Sequence, residues 1–161
     1  MTAVTVLGIG NPIMADDGTG LALAERLSRS CAGDPRVEVV DGGTGGMELV
    51  PVVQDAERLL VLDAVAGPVP GTVVHLTGDQ VPRLLATKLS PHQVGLLDVL
   101  AAARLLGREP RQVEVVGVVP EVVDLRLGLS DVVAGVLDVA TATARGVVER
   151  WLAEDDDAGH P

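Results

Sequence analysis

Residues 4–20 read VTVLGIGNPIMADDGTG. The first part, Val4–Leu7, is an apolar run interrupted only by Thr5, of the kind found in strands that are buried on both faces. Glycine, asparagine and proline then interrupt the run, and a helix is predicted to begin near Asp17. A buried strand followed by a turn and a helix is the opening unit of an α/β layer fold.

The rest of the chain repeats this alternation of apolar runs and helical patterns. Only residues 63–71 separate the third run from the fourth, which is too few for a parallel crossover. The fourth run is therefore predicted to be an antiparallel strand at an edge of a mostly parallel sheet. The four further predicted strands are Val37–Val40, Leu59–Leu62, Thr72–Leu76 and Val113–Val119. The further predicted helices cover about 46–54, 91–106 and 130–152.

Length and composition indicate one folded domain. The chain has 161 residues, of which 47% are hydrophobic, so it can bury a full-sized core. The domain is predicted to span residues 1–152. Residues 153–161 include four consecutive acidic side chains and are predicted to form a disordered tail.

The charge balance argues against nucleic acid as a partner. Acidic residues number 23 against 12 basic ones, a net charge of −11, and the chain has neither Phe nor Tyr for base stacking. No basic residue precedes Arg26, and the apolar start is interrupted, so neither a signal peptide nor a membrane span is expected. A cytoplasmic location is the expectation.

Carboxylates follow most of the predicted strands. In open α/β sheets, ligands bind outside the carboxyl ends of the parallel strands. The chain therefore gathers acidic side chains at the edge where a ligand is expected. These residues are Asp16, Asp17, Asp41, Asp63 and Glu121.

A dinucleotide site is the first ligand to consider, because Gly8 and Gly10 follow the first strand. The third glycine of that motif would fall at Ile13, and Asp16 and Asp17 stand where the helix should receive a pyrophosphate. Two carboxylates would repel a phosphate, so no nucleotide is expected.

A divalent cation suits the same edge better. Asp17 and Asp63 supply hard oxygen ligands, and His92 supplies an imidazole at the start of a helix, a set that accepts nickel, zinc or manganese. The same residues also have structural interpretations. Asp16 and Asp17 can cap a helix, and Asp63 can cap a turn. His92 can be a hydrogen-bonded histidine in a capped first turn. Spacing alone leaves both interpretations open.

The loop after the second strand is rich in glycine. Gly42, Gly43, Gly45 and Gly46 would let backbone approach a ligand closely, as when main-chain hydrogen bonds hold an extended peptide. A strained turn is the alternative interpretation.

Several short motifs in fixed order resemble the nickel-iron hydrogenase maturation endopeptidases. The resemblance extends over about residues 3–150 and is closest to the branch that serves uptake hydrogenases. The motifs are Gly8-Ile9-Gly10-Asn11, Asp16-Asp17-Gly18, Asp41-Gly42-Gly43-Thr44, Leu62-Asp63-Ala64, Ser90-Pro91-His92-Gln93 and Gly117-Val118-Val119-Pro120-Glu121.

The resemblance implies a fold and an activity. The fold would be a three-layer α/β sandwich around a twisted five-stranded sheet. The activity would be endopeptidase cleavage of the C-terminal extension from a hydrogenase large-subunit precursor after nickel insertion. The partner would be that precursor, and the nickel would be the precursor's own ion, although other divalent metals could occupy the site. A non-catalytic nickel-binding maturation chaperone is the alternative.

The resemblance also assigns roles to residues. The metal contacts fall on Asp17, Asp63 and His92, where the first position is often Glu in the family, so Asp shortens the reach by one methylene. Asp41 matches a carboxylate linked with substrate processing, and whether the metal or the carboxylates drive hydrolysis stays open. The predicted catalytic residues are Asp17, Asp41 and Asp63, and the predicted substrate-binding residues are Gly42, Gly43 and Thr44.

Overall fold

The computed structural model describes residues 2–78, 80–81 and 91–159, with the backbone alone for residues 91–95 and 97. The strands are β1 (Val4–Ile9), β2 (Val37–Gly43), β3 (Arg58–Ala64), β4 (Val73–Thr77) and β5 (Gln112–Val118). The helices are α1 (Thr19–Ser30), α2 (Val50–Asp55), α3 (Pro91–Leu105), α4 (Asp131–Ala134) and α5 (Leu137–Ala158). Short 3-10 turns at Ala15–Gly18 and Met47–Leu49 lead into α1 and α2.

The five strands form one sheet in the order β2-β1-β3-β5-β4. All neighbouring pairs are parallel except β4 and β5, which are antiparallel from Val73↔Val118 to Thr77↔Glu114. The predicted antiparallel edge strand is therefore confirmed. Its direction follows from the short connection after β3, which has no room for a crossover helix.

Helices cover both faces of the sheet, which confirms the three-layer α/β architecture. α1 and α5 pack on one face, and α2 and α3 pack on the other. The side chains predicted to point inward from the last helical region are all buried: Val133, Leu137, Ala140, Ala144, Val147 and Trp151. No helix in the described ranges has both the length and the apolar character that crossing a bilayer requires.

β1 lies between β2 and β3, so the chain leaves β1 to one side and later returns to its other side. This reversal opens a crevice at the carboxyl ends of β1 and β3, the place where α/β sheets bind ligands. The strands also extend beyond the predicted ends at Val40 and Leu62. Asp41 and Asp63 consequently belong to the ends of β2 and β3 rather than to the loops that follow.

The structure differs from two expectations for the chain after residue 130. The single helix predicted over 130–152 is divided at Gly135 into α4 and α5, and α5 continues to Ala158, through most of the segment predicted to be disordered. The extension of α5 has a physical reason in the buried guanidinium of Arg58, which is 4% exposed. It donates to the Trp151 carbonyl at 2.8 Å and pairs with Asp155 at 2.7 Å. A buried cation requires such partners, and they hold the last turns of α5.

Two glycines let α1 lie against the carboxyl end of the sheet. A Cβ at Gly8 would lie 2.6 Å from the Ala24 Cβ and 2.8 Å from the Gly20 carbonyl oxygen. A Cβ at Gly20 would overlap the carbonyl oxygens of Ile9 and Leu62. The start of α1 therefore packs on β1 and on β3 at the residue before Asp63, a distance that only glycine allows.

We expect Gly20→Ala to lower the free energy of unfolding by about 3 kcal/mol or more, because the clashing atoms are backbone oxygens that cannot rotate away. Gly146→Ala is the matched control, since a Cβ at this exposed position of α5 meets nothing within 4 Å. The control should stabilise the protein by about 0.5–1 kcal/mol through helix propensity. Urea unfolding followed by circular dichroism measures both, and equal stability of the two variants would contradict the packing described.

Candidate active site

Asp17 lies in the 3-10 turn between β1 and α1, and it is 5% exposed. Its Oδ2 accepts a hydrogen bond from the backbone N–H of Asn11 at 3.1 Å. The loop can fold back in this way because Gly10 has a φ of +150°, and a Cβ there would overlap the Asp17 carbonyl oxygen. The turn packs against β3, so Asp17 lies at the crevice between β1 and β3.

Asp63 is the penultimate residue of β3 and is completely buried. Its Oδ1 accepts a hydrogen bond from the Ala64 N–H at 2.8 Å. Gly117 is its register partner on β5, where a Cβ would lie 2.5 Å from the Asp63 carbonyl oxygen. Close backbone packing therefore fixes this carboxylate at the same crevice as Asp17.

Asp41 is an exposed carboxylate at the end of β2, beside Gly8 of β1. Its Oδ1 accepts a hydrogen bond from the Gly43 N–H at 3.0 Å. Side chains alternate along strands, and Val39 packs on the α1 face while Val61 packs on the α2 and α3 face. Asp41 therefore projects towards α1, and Asp63 projects towards the opposite face, about 10 Å away across two strands.

The predicted metal contacts are only partly described. The backbone of His92 lies in the first turn of α3, but its side chain is outside the described residues. Among the side chains that the structure does describe, no group of three or more His, Cys, Asp or Glu is arranged to hold a metal ion. Asp17 and Asp63 share the crevice, and their grouping with His92 stays a prediction. Ser90, predicted to cap α3, is also outside the described residues.

A groove of about 530 Å³ opens beside Asp41. Its apolar walls come from the turn after β1, from α1 and from the segment after β5. The carboxylates of Asp41 and Glu25 lie at its surface. The apolar wall includes Pro12, Leu21, Ala22, Leu127 and Leu129. Sequence reasoning missed Leu127 and Leu129, because nothing local indicates that residues 127–129 return to the end of β2.

The glycines after Asp41 have structural functions of their own. A Cβ at Gly42 would lie 2.8 Å from the Leu7 Cδ1 and 3.0 Å from the Gly8 carbonyl oxygen, so Gly42 permits packing of β2 on β1. Gly43 has a φ of +50°, which glycine adopts without strain. Thr44 is exposed beside them. Substrate binding by this stretch stays a prediction.

Asp16 has a function that the sequence did not indicate. It caps neither helical segment, although capping was one interpretation of the sequence, and it is completely buried. Its carboxylate accepts hydrogen bonds from the N–H groups of Glu121, Val122 and Ser130 at 2.9, 2.9 and 2.7 Å. It also accepts one from the Ser130 hydroxyl at 2.8 Å. Asp16 thus closes the loop 121–130 onto the turn that carries Asp17.

Glu121 joins this arrangement through its backbone alone, and its side chain is exposed. Ala15, the residue before Asp16, has a φ of +50°, which is strained for a residue with a Cβ. The Ala15 N–H donates to the Arg126 carbonyl at 2.8 Å, and the Arg126 N–H donates to the Ile13 carbonyl at 3.0 Å. The loop therefore holds the turn in a strained backbone conformation.

Hydrogen bonding determines the ionisation of Asp16. Burial alone would raise the pKa of this carboxyl group, but the hydrogen bonds from Val122, Ser130 and Glu121 outweigh it and lower the pKa below 3.8. The carboxylate is therefore ionised at neutral pH, and its negative charge strengthens every bond that it accepts.

Two other titratable residues lie away from the crevice. Burial raises the pKa of the Cys31 thiol, so this side chain is a poor nucleophile. His75 of the edge strand β4 is 35% exposed, and its Nε2 lies 2.6 Å from the Glu114 Oε1. Glu114 also pairs with Arg150 at 2.7 Å, which gives this group a structural explanation.

We expect Asp16→Asn to lower the free energy of unfolding by about 2–4 kcal/mol, because the amide group loses the charge and turns donors towards buried N–H groups. Asp124→Asn, an exposed change in the same loop, should alter stability by less than about 0.5 kcal/mol. Urea unfolding measures both variants. A loss below 1 kcal/mol for Asp16→Asn would show that the loop does not depend on this carboxylate.

The lowered pKa of Asp16 also predicts a pH dependence. Its stabilising contribution is fully present above the unfolded value of 3.8 and is lost as the pH falls through the lower folded pKa. The difference in unfolding free energy between the wild type and Asp16→Asn should therefore shrink below about pH 4. Denaturant titrations at a series of pH values measure it, and a difference that stays constant or grows in acid would contradict the assignment.

Sequence and structure comparisons identify the family. The model of the hydrogenase maturation protease family matches residues 21–146. The chain is 37% identical over 139 residues to the hydrogenase 2 maturation protease of Escherichia coli K12, covering 85% of each chain. It is 42% identical over 151 residues to the hydrogenase expression/formation protein HupD of Rhodobacter capsulatus, covering 92% of this chain and 72% of the relative.

The solved structure of the hydrogenase maturating endopeptidase HybD from E. coli superposes with a TM-score of 0.81 at 34% identity, covering 98% of this chain and 94% of that one. The resemblance drawn from the sequence motifs is thus confirmed, and the comparisons favour a peptidase over a non-catalytic chaperone. The chain belongs to the hydrogenase maturation protease family and is a peptidase.

Proposed function

We propose that this protease removes a C-terminal extension from the nickel-loaded precursor of a hydrogenase large subunit. In this proposal Asp17, Asp63 and His92 contact the nickel that the precursor carries, and Asp41 acts on the peptide. The nickel belongs to the substrate. Contact between this nickel and the enzyme distinguishes a precursor that is ready for cleavage from one that is not.

The observation that supports the proposal most strongly is the placement of Asp17 and Asp63. Both carboxylates are buried at the crevice where the strand order reverses, one from each side of it. α3 ends just before β5 begins, so its first turn, which carries His92, lies towards the same edge of the sheet. Carboxylate oxygens and an imidazole form a ligand set that accepts a divalent nickel ion.

The separation of Asp41 from Asp63 supports separate roles for the two residues, one in peptide chemistry and one in metal contact. The two residues project to opposite faces of the sheet, about 10 Å apart. An extended peptide covers that distance in about three residues. A precursor whose metal is held at Asp17 and Asp63 can therefore pass a nearby segment of its chain along the groove beside Asp41.

Asp41 is suited to handle a proton in peptide hydrolysis. It is exposed to water, and it keeps one oxygen oriented through the hydrogen bond from the Gly43 N–H. In the proposed reaction Asp41 takes a proton from a water molecule whose oxygen attacks the scissile carbonyl carbon. The same proton passes to the leaving amine as the C–N bond breaks.

Substrate recognition in this proposal precedes chemistry. A correctly loaded precursor would be positioned by two separate contacts, at the metal and in the groove, and each restricts the scissile bond. A metal-free precursor would have the groove contact alone. The enzyme would then discriminate between the two by how well the peptide is positioned against Asp41.

We expect Asp41→Asn to slow precursor cleavage by about a hundredfold or more, because an amide cannot accept the proton. Binding of nickel-loaded precursor should change little, since Asp41 lies outside the proposed metal contacts. Cleavage is followed by intact mass, and binding by co-elution of enzyme and precursor. Glu38→Gln is the control, an equal change of charge at another exposed position of β2, and it should retain wild-type cleavage.

Wild-type cleavage by Asp41→Asn would remove this residue from the chemistry and would favour hydrolysis driven by the metal. Loss of binding together with cleavage would instead make Asp41 a binding residue.

A further inference from the structure

The loop 121–130 exposes large apolar side chains beside the proposed active site. Leu125 is 79% exposed and Leu127 is 77% exposed, while Val123 is 49% exposed. Ile13 is 48% exposed, and its carbonyl accepts a hydrogen bond from the Arg126 N–H, which places it next to the loop. We call Ile13, Val123, Leu125 and Leu127 the apolar strip.

The loop is held at both ends and in the middle. Asp16 accepts N–H bonds from Glu121, Val122 and Ser130, and the backbone of Arg126 bonds to Ile13 and Ala15. The exposed side chains are therefore carried on a fixed backbone. A fixed surface loses little conformational entropy when a partner covers it.

The apolar strip is continuous with the site through one residue. Leu127 belongs to the strip and also lines the groove that reaches Asp41. A molecule that presents a peptide to Asp41 along this groove consequently meets the strip as well. The other three residues of the strip do not line the groove. They are exposed on and beside a loop, so the strip fits the surface of a folded protein better than a short peptide.

We infer that the apolar strip docks the folded body of the hydrogenase large-subunit precursor while its C-terminal segment enters the groove. This inference rests on the proposed function. The strip exposes on the order of 500 Å², less than the roughly 800 Å² that each partner of a stable complex buries, and it suits a transient enzyme–substrate contact better than a dimer of this chain.

Charge at the border indicates the kind of surface that fits. Glu121 and Asp124 are exposed in the loop and Asp131 is exposed directly after it, against the single exposed cation Arg126 in the same loop. The matching surface of the precursor should therefore be apolar at its centre and basic at its border.

The test measures steady-state cleavage of nickel-loaded precursor by the double variant Val123→Ser/Leu125→Ser. Neither residue lines the groove, so a docking function predicts a KM about tenfold higher or more, with kcat changed less than threefold. Leu105→Ser is the control, because Leu105 is 88% exposed at the far end of α3. It should retain the wild-type KM, and circular dichroism confirms that all variants fold.

Each other outcome overturns the inference in a distinguishable way. If the wild type cleaves the precursor and the double variant has the same KM, the strip is not a docking surface, and the proposed function stands. A fall in kcat at unchanged KM assigns the strip to the chemical step instead. A wild type that sediments as a dimer, with a monomeric double variant, assigns the strip to a second copy. If the wild type leaves the precursor uncut, the proposed function itself fails.

Discussion

The site depends on the hydrogen bonds that the buried carboxylate of Asp16 accepts. It joins two segments that are more than a hundred residues apart in sequence, the turn after β1 and the loop after β5. Four hydrogen bonds to one ionised group fix both segments at once. The loop fixed in this way then holds Ala15 in a strained conformation through the backbone of Arg126. Asp17 on one side and the groove wall on the other are therefore positioned by the same charge.

Around this connection, close backbone packing determines where the other carboxylates lie. Gly8 and Gly20 bring α1 onto the ends of β1 and β3, and Gly117 brings β5 against the backbone of Asp63. The order of the strands then separates the functions that we propose. Asp17 and Asp63 lie at the crevice, whereas Asp41 lies by the groove and projects to the face opposite Asp63. In the proposal, Asp63 therefore contacts the metal on one face and Asp41 acts on the peptide on the other.

Much of this arrangement could be predicted from local sequence. The apolar runs located every strand in the described part of the chain, and the short connection before β4 determined its direction. The position of Asp17, Asp41 and Asp63 near the carboxyl edge of the sheet could be predicted because each follows such a run. Their roles stay predictions from the family resemblance. The function of Asp16 could not be predicted, because its hydrogen-bond partners are distant in sequence and donate mainly from the backbone. The helical end of α5 was missed for a similar reason, since it depends on the buried Arg58 of β3.

In the proposed function, cleavage requires the precursor's own nickel at the crevice. The most direct measurement is intact mass spectrometry of nickel-loaded and nickel-free large-subunit precursor, each before and after incubation with the wild-type enzyme. We expect one discrete C-terminal peptide to be lost from the loaded precursor and none from the nickel-free one. Equal cleavage of both forms would contradict the requirement for nickel, and an unchanged mass in both would contradict the proposed function.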